Sequence, residues 1–393
     1  MAFKFASRMD TVKASTIREI LKLTEKPEVI SFGGGMPAPE LFPIEELKEV
    51  TLSVLDSAGQ KALQYAPTDG YPPLREKIVE RLNRLGIEGI DKNNILLTSG
   101  SQQGLDFSGK VFLDPGDVVI CEKPSYLGAI NAFKAYQCKF VDIPMDDGGM
   151  IMEDLEKALM DNPRVKYIYV IPDFQNPTGK TWSVGRRKEL VDMANRYDTI
   201  IIEDNPYYEL RYEGEIPPAV KSFDTEGRVV FLGTFSKTFS PGLRMGWVCA
   251  NEEILMKYNL IKQGSDLQVN TLTQMQLNTY IETYDFDARI EEIKKVYRHR
   301  RDLMVQMMKE NFPEDVKIFV PEGGLFVWLE FPENVNTTQL MLKALEKNVA
   351  FVPGDPFYPN GGGENTCRFS FSNMPDEKII EGIRRMGEVI KEM

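Results

Sequence analysis

The sequence predicts an α/β protein, and three features predict it. Between about residues 94 and 249, six short runs rich in Ile and Val, at 95–98, 118–121, 167–171, 200–202, 229–232 and 245–249, alternate with helix-like stretches. Near-continuous apolar runs of this length belong to strands covered by helices on both faces, as in a parallel sheet. Secondly, four of these runs end abruptly in polar residues or glycine, the pattern of strand ends that feed ligand-binding turns. Thirdly, a stretch at 286–311 carries Ile290, Ile293, Val296, Leu303, Met304 and Met307 near helical spacing, which separates the strand-rich region from the C-terminal part of the chain.

Beyond that helix come strand-like pieces at 325–329 and 368–371 and a closing amphipathic helix at 376–393. The expected organisation is therefore a large domain over 48–285 and a smaller α+β domain over 286–393. Residues 1–47 hold one amphipathic segment, 16–23, and the loop Gly33-Gly34-Gly35-Met36-Pro37. That segment is too short to fold alone and is expected to pack on the small domain.

The 393 residues are 42% hydrophobic, enough for a large core. Acidic residues outnumber basic ones, 59 to 47, for a net charge of −12, which argues against a nucleic-acid partner, since such proteins need a cationic face. No apolar run is long enough to span a bilayer, and the first ten residues lack a secretory signal's apolar stretch, so the expectation is a cytoplasmic chain with no membrane partner. Cys121, Cys138, Cys249 and Cys367 stand far apart, without zinc-ligand or disulfide-framework spacing. His299 is the single histidine, which removes Ser-His and Cys-His catalysis. A general base must then be a lysine, a carboxylate or a tyrosine.

Several local patterns carry no function. Thr178-Gly179-Lys180-Thr181 resembles the end of a phosphate-binding P-loop, but Phe174 stands where its first glycine is required. No strand leads into a G-x-G-x-x-G turn, which disfavours a nicotinamide enzyme. Arg298-His299-Arg300-Arg301 reads as a solvated helix face, and Met304, Met307 and Met308 read as core.

The chemistry sits after the strands. The first run leads into Gly100-Ser101-Gln102-Gln103-Gly104 and a helix, whose free backbone N–H groups suit a phosphate. The third leads into Asp173-Phe174-Gln175-Asn176-Pro177, the fourth ends at Glu203-Asp204-Asn205-Pro206-Tyr207, and the fifth at Gly233-Thr234-Phe235-Ser236-Lys237. In open α/β sheets these ends share one edge, so a phosphate cradle, an amide, a carboxylate, a phenol and an amine converge. Pyridoxal 5′-phosphate (PLP) needs that set: its aldehyde condenses with a lysine amine, and a carboxylate keeps its ring nitrogen protonated. Lys237 and Asp204 are the candidates for those two roles, Asn176 and Tyr207 for the ring hydroxyl, and Tyr126 for stacking on the ring.

These residues resemble the fold type I PLP-dependent aminotransferases of class I/II. The matching motifs are Tyr65-x-Pro67-x-x-Gly70, Gly100-Ser101-Gln102-Gln103, Gln175-Asn176-Pro177-Thr178-Gly179, Asp204-Asn205-Pro206-Tyr207, Ser236-Lys237 with Gly242-Leu243-Arg244-x-Gly246, and Cys367-Arg368-Phe369-Ser370. They occur in family order along nearly the whole chain. The resemblance implies a mostly parallel seven-stranded sheet between helices in the large domain, and a homodimer with shared active sites. It implies that Lys237 carries the cofactor and moves the proton, that Ser101, Gln102, Thr234, Ser236 and Arg244 hold the phosphate with Gly100 at the turn, and that Arg368 receives the substrate α-carboxylate. Tyr65 would reach the phosphate of the neighbouring subunit.

A closer resemblance is to the 2-aminoadipate and kynurenine aminotransferase group, carried by Ala14-Ser15-Thr16-Ile17-Arg18-Glu19, by Ser31-Phe32-Gly33-Gly34-Gly35-Met36-Pro37-Ala38-Pro39-Glu40 and by Asn360-Gly361-Gly362-Gly363-Glu364-Asn365-Thr366. It implies an N-terminal segment that moves over the substrate, with Gly35 near it and Arg18 reading a distal carboxylate. The implied reaction is ping-pong transfer of an amino group between an L-amino acid (2-aminoadipate, aromatic or branched-chain) and 2-oxoglutarate. A PLP-dependent lyase or decarboxylase on the same scaffold is the enzymatic alternative. An aminotransferase-like ligand-sensing module of a transcription regulator is disfavoured by the few residues ahead of Ser31.

Overall fold

The structure, a computed structural model, describes residues 3–10 and 28–392. Its main sheet has eight strands: β1 (Ile95–Ser99), β2 (Val118–Lys123), β3 (Lys139–Asp146), β4 (Gly149–Met150), β5 (Val165–Val170), β6 (Ile200–Asp204), β7 (Val229–Thr234) and β8 (Met245–Cys249). Their spatial order is β1-β8-β7-β6-β5-β2-β3-β4. The β7-β6-β5-β2-β3 block is parallel throughout, while β8 runs antiparallel to both β7 and β1. The seven long strands are extended by the two-residue β4, which pairs antiparallel with the edge strand β3.

Each of the six apolar runs is a strand. Burial explains why they are legible in the sequence: Tyr167 to Val170, Ile201, Ile202 and Val229 to Leu232 are all within 1% of complete burial. The reversed direction of β8 comes from its connection. Only residues 235–244 separate it from β7, too few for the crossover that a parallel neighbour requires. The edge strand β3 is not legible in the same way because it is only partly buried, and Lys139, Asp142 and Pro144 interrupt its apolar pattern.

The second sheet is antiparallel, formed by β9 (Lys317–Phe319), β10 (Phe326–Glu330), β11 (Val352–Pro353) and β12 (Thr366–Ser370) in the order β9-β10-β12-β11. Helices Phe286–Asn311 and Asp376–Lys391 pack on each other beside it, sharing a core that includes Met304, Met308, Ile383 and Met386. Asp285 caps the first of these, its carboxylate accepting from the Ala288 N–H at 2.9 Å.

The charge run on this long helix is only partly solvated, which corrects the sequence expectation. Tyr297, Arg300, Arg301 and Met304 lie at the i, i+3, i+4, i+7 positions of one face, and all four are buried. Arg300 donates to the Ser372 carbonyl at 2.7 Å and pairs with Glu40, while Arg301 donates to the Pro321 carbonyl at 2.7 Å and pairs with Glu213 at 2.6 Å. Arg298 and His299 are the two of the run's four residues that face solvent, His299 paired with Asp376 at 2.6 Å.

The N-terminal segment is tied to the same body. Ile30–Ser31 pairs in parallel with Val349–Ala350, Phe32 packs on Phe369 with ring centroids 5.7 Å apart, and the Ala38 N–H donates to the Tyr297 hydroxyl at 2.9 Å. The glycine loop 33–35 is thereby pinned at both ends. Arg18 and the segment 16–23 lie outside the described residues. Among the described residues, no helix is long and apolar enough to cross a membrane.

Candidate active site

At the carboxyl edge of the main sheet lies a cavity of about 270 Å³ lined by the side chains that come after the strands. Ser101 and Gln102 come from the start of the helix Ser101–Phe112 after β1, Asn176 from the turn after β5, Asp204 and Tyr207 from the end of β6 and just beyond, and Thr234, Ser236 and Lys237 from the end of β7 and the turn after it. Tyr126 and Arg244 line it as well, and Ile171, Pro206 and Pro241 add an apolar fringe that the sequence does not single out.

Among the described residues Asp204 is the only acid in this lining. Its Oδ2 accepts from the Tyr169 hydroxyl at 2.9 Å, and its Oδ1 is buried with no partner among them. Burial pushes this carboxyl up to about 7, against the opposing pull of Tyr169 and Lys237. Lys237 is shifted the other way. Burial, and then the cations of Arg368 and Arg244, depress its amine to about 8, and its Nζ donates to the Gly35 carbonyl at 2.7 Å. A depressed lysine is a competent base and nucleophile near neutral pH.

The phosphate end is built by close backbone contact. Gly100 takes φ +73°, and a Cβ there would run into the Arg244 guanidinium. A Cβ on Gly246 would lie 2.6 Å from the Gly100 carbonyl carbon. Arg244 itself adopts left-handed φ 53° and donates to the Pro241 carbonyl at 3.1 Å and the Ser99 carbonyl at 3.2 Å. No carboxylate pairs with it among the described residues. Thr234 Oγ1 sits 2.9 Å from Ser236 Oγ, donates to the Met245 carbonyl at 3.0 Å and accepts the Ser236 N–H at 3.1 Å. Gln102 lines the same end while its amide donates to the Gly128 carbonyl at 3.0 Å.

Opposite this end, behind Asn176, lies Arg368 on β12. Its Nη1 donates to Asn176 Oδ1 and its Nη2 to the Gly33 carbonyl, both at 2.7 Å, with Nε unsatisfied. The guanidinium lies 4.1 Å from the Phe326 ring centroid and 5.1 Å from that of Phe357. Burial lowers it to about 10. Tyr207 is buried edge-on against Phe326 at 6.0 Å, and burial raises its phenol. At Gly35 the bare backbone serves packing, since a Cβ would lie 2.6 Å from Phe326 Cζ.

A family profile described as "Aminotransferase class I and II" matches residues 28–386. The chain belongs to the class I and II aminotransferases. It is similar to aromatic-amino-acid aminotransferase 1 of Thermococcus litoralis, 46% identical over 99% of this chain and 94% of the relative, and to 2-aminoadipate transaminase of Thermus thermophilus, 42% identical over 98% and 96%. Among solved structures, kynurenine aminotransferase of Pyrococcus horikoshii superposes with a TM-score of 0.94 at 42% identity, covering 99% of this chain and 97% of that one. That structure holds PMP, and the related LysN of Thermus thermophilus holds N-(5′-phosphopyridoxyl)-L-leucine.

This aminotransferase is a fold type I enzyme of the aminoadipate and kynurenine aminotransferase group, and its cofactor is PLP. The residues present fit that group. An orphaned buried carboxylate oxygen suits a ring N–H, an arginine with no acid partner suits a phosphate, and the Gly100–Gly246 contact keeps the backbone bare beside it.

Of the predicted residues, Gly35, Gly100 and Arg368 do not line the cavity themselves, but each touches a residue that does: Gly35 meets Lys237, Gly100 meets Arg244 and Arg368 meets Asn176. Tyr65 is 79% exposed and borders a separate depression with Gln268 and Asn270. Arg18 lies outside the described residues. Sequence reasoning misses Tyr169, because an aromatic inside a buried strand reads as core. It also misses Glu122 at the end of β2, although a carboxylate at a strand's carboxyl end is the signal that finds Asp204. Glu122 accepts from Trp182 Nε1 at 2.8 Å and from Gln175 Nε2 at 3.2 Å, and Gln175 Oε1 in turn accepts the Thr178 N–H at 2.9 Å. This buried chain of contacts fixes the turn that presents Asn176.

Proposed function

We propose that this aminotransferase exchanges an amino group between an L-amino acid, 2-aminoadipate or an aromatic or branched-chain one, and 2-oxoglutarate in a ping-pong reaction, as a cytoplasmic homodimer with shared active sites. The observation that carries the reading is the pair of arginines whose charges both bear on Lys237, Arg244 in the cavity lining and Arg368 bonded to the lining residue Asn176, neither ion-paired with an acid among the described residues. Two such cations are matched to a guest that is a phosphate at one end and a carboxylate at the other.

PLP, when bound, supplies an electron sink for the substrate Cα. Gly100, Ser101, Gln102, Thr234, Ser236 and Arg244 hold its phosphate, and Tyr126 covers its ring. Asp204 holds the proton on its ring nitrogen, and Asn176 with Tyr207 bonds its ring hydroxyl. Arg368 and Asn176 seat the substrate α-carboxylate, which orients the Cα–H towards Lys237. The Lys237 amine takes the Cα proton and returns it one position away, an exchange that its depressed basicity favours. Gly35 lies where the substrate side chain enters, and Arg18 reads a distal carboxylate when there is one. In this reading residues 1–47, 48–285 and 286–393 are the arm, the cofactor domain and the small domain.

Kinetics with a panel of amino donors and 2-oxoglutarate test this, repeated for Arg18→Ala. Parallel double-reciprocal lines and a selective loss of acidic donors in the variant are expected. Intersecting lines overturn the ping-pong order, and an equal loss of acidic and apolar donors overturns the role of Arg18. Glutamate alone, mixed with stoichiometric enzyme, is expected to yield 2-oxoglutarate.

A further inference from the structure

Tyr169 sits on β5 and Asp204 on β6, and the register pairs Tyr169 with Ile202. Because strand side chains alternate, Asp204 emerges on the same face as Ile202 and therefore as Tyr169. The phenol reaches along that face to Asp204 Oδ2 at 2.9 Å. Tyr169 is 1% exposed, and its ring is held edge-on by Phe133, with centroids 5.5 Å apart at 78°. A phenol in a fixed ring has one proton to donate, and here it goes to one carboxylate oxygen only. The other oxygen, Oδ1, stays buried and has no partner among the described residues, on a side chain that lines the cavity.

We propose that Tyr169 is a positioning residue for catalysis: its hydroxyl locks the Asp204 carboxylate so that Oδ1 alone is offered to the cofactor ring nitrogen and the shared proton stays on that nitrogen. The inference rests on the assignment of Asp204 to the ring nitrogen. The balance is a single proton between Asp204 Oδ1 and the nitrogen. A hydrogen bond donated to Oδ2 stabilises the anionic carboxylate and so leaves the proton on the ring. The other titratable groups facing Asp204 are Lys237 from the turn after β7, Glu122 from β2 and Tyr207 from the segment after β6. None of these three is hydrogen-bonded to Oδ1.

The test uses the holoenzyme reconstituted with PLP labelled with 15N at the ring nitrogen. In the unmodified enzyme the 15N shift is expected at the pyridinium value across neutral pH. Tyr169→Phe keeps the ring and its packing but removes the donor. It is expected to move the shift towards that of a neutral pyridine and to weaken PLP binding by roughly tenfold, the scale of one hydrogen bond to a charged group. Incorporating 2,3-difluorotyrosine at position 169, a stronger donor of nearly the same shape, is expected to hold the pyridinium signal to higher pH than tyrosine does. Asp204→Asn provides the reference for loss of the carboxylate. A pyridinium signal unchanged in Asp204→Asn overturns the assignment of Asp204 and this inference with it. A signal that moves in Asp204→Asn but is unchanged in both position-169 variants overturns the inference alone.

Discussion

The Arg368 guanidinium and the Asn176 side-chain oxygen meet at 2.7 Å inside the protein, and no carboxylate among the described residues neutralises that cation. A buried charge without a counterion costs stability, so its retention marks a place where a ligand supplies the opposite charge. The second bond of the fork, to the Gly33 carbonyl, links this cation to the N-terminal loop.

Replacing Arg368 by methionine therefore separates function from stability. A two-pronged, charge-assisted contact with a carboxylate is worth on the order of 100-fold in kcat/KM for the amino donor. The expected result is a loss of that size, read mainly in KM, with a thermal midpoint no lower than that of the unmodified protein. Steady-state kinetics with glutamate and a melting curve check both halves. A midpoint that falls sharply would assign Arg368 a structural role instead.

The cradle at Gly100 and Gly246 predicts two different failures from two similar changes. At Gly100 an added Cβ meets the end of the Arg244 side chain, which can swing away. Gly100→Ala is expected to bind PLP at least about tenfold more weakly, because it costs the phosphate a charge-assisted partner, and also to lose about 1–3 kcal/mol of stability, because φ +73° with ψ 166° is a conformation that only glycine adopts without strain. At Gly246 the added Cβ meets the Gly100 and Ser101 backbone, which has nowhere to go. Gly246→Ala is expected to lower stability itself, by about 1–3 kcal/mol as overpacking does. Denaturant unfolding of the apo forms measures the stability loss in both, and PLP titration shows the direct loss of affinity expected at Gly100.

Glu122 gives a pH-dependent prediction. Burial pushes its carboxyl up from 4.5 to about 8, although the Gln175, Trp182 and Ile171 hydrogen bonds oppose the shift. Between those two values the folded chain keeps a proton that the unfolded chain has released. Stability contributed by this site is therefore fully present below the unfolded value and is lost as pH rises towards 8. Glu122→Gln resembles the protonated acid and has nothing to titrate. Its thermal midpoint is expected to match the unmodified protein at pH 5 and to exceed it at pH 8 by a few degrees. Melting curves at the two pH values check this, and a gap that stays constant would remove Glu122 as the titrating group.

How much of the molecule is readable from its sequence depends on how local the cause is. The six buried strands and the polar groups at their ends are legible because burial on both faces writes itself as unbroken apolar runs. The long helix Phe286–Asn311 is legible to its limits because its apolar residues keep one period. The antiparallel turn of β8 is not written in its composition, only in the shortness of the connection before it. Arg300 and Arg301 look solvated because their partners, Glu40 and Glu213, come from remote parts of the chain. Tyr169 is invisible for the same reason: its hydroxyl matters only once β5 and β6 lie side by side.

The exposure of Tyr65 sets the last prediction. A large phenol that is 79% exposed, at a motif position and away from the cavity of its own chain, is open to contact by a neighbouring copy, as the proposed homodimer requires. If each active site in a homodimer takes Lys237 from one chain and Tyr65 from the other, Lys237→Ala and Tyr65→Ala damage the same site from opposite sides. Mixed and re-paired, the two variants form heterodimers in which one site combines an intact Lys237 with an intact Tyr65, while the other carries both lesions. Random pairing of a twofold dimer then restores up to about a quarter of the original activity. The measurement is transaminase activity after joint unfolding and refolding of the two variants, against each refolded alone. Activity no greater than the sum of the separate variants would mean that Tyr65 does not act across the subunit boundary.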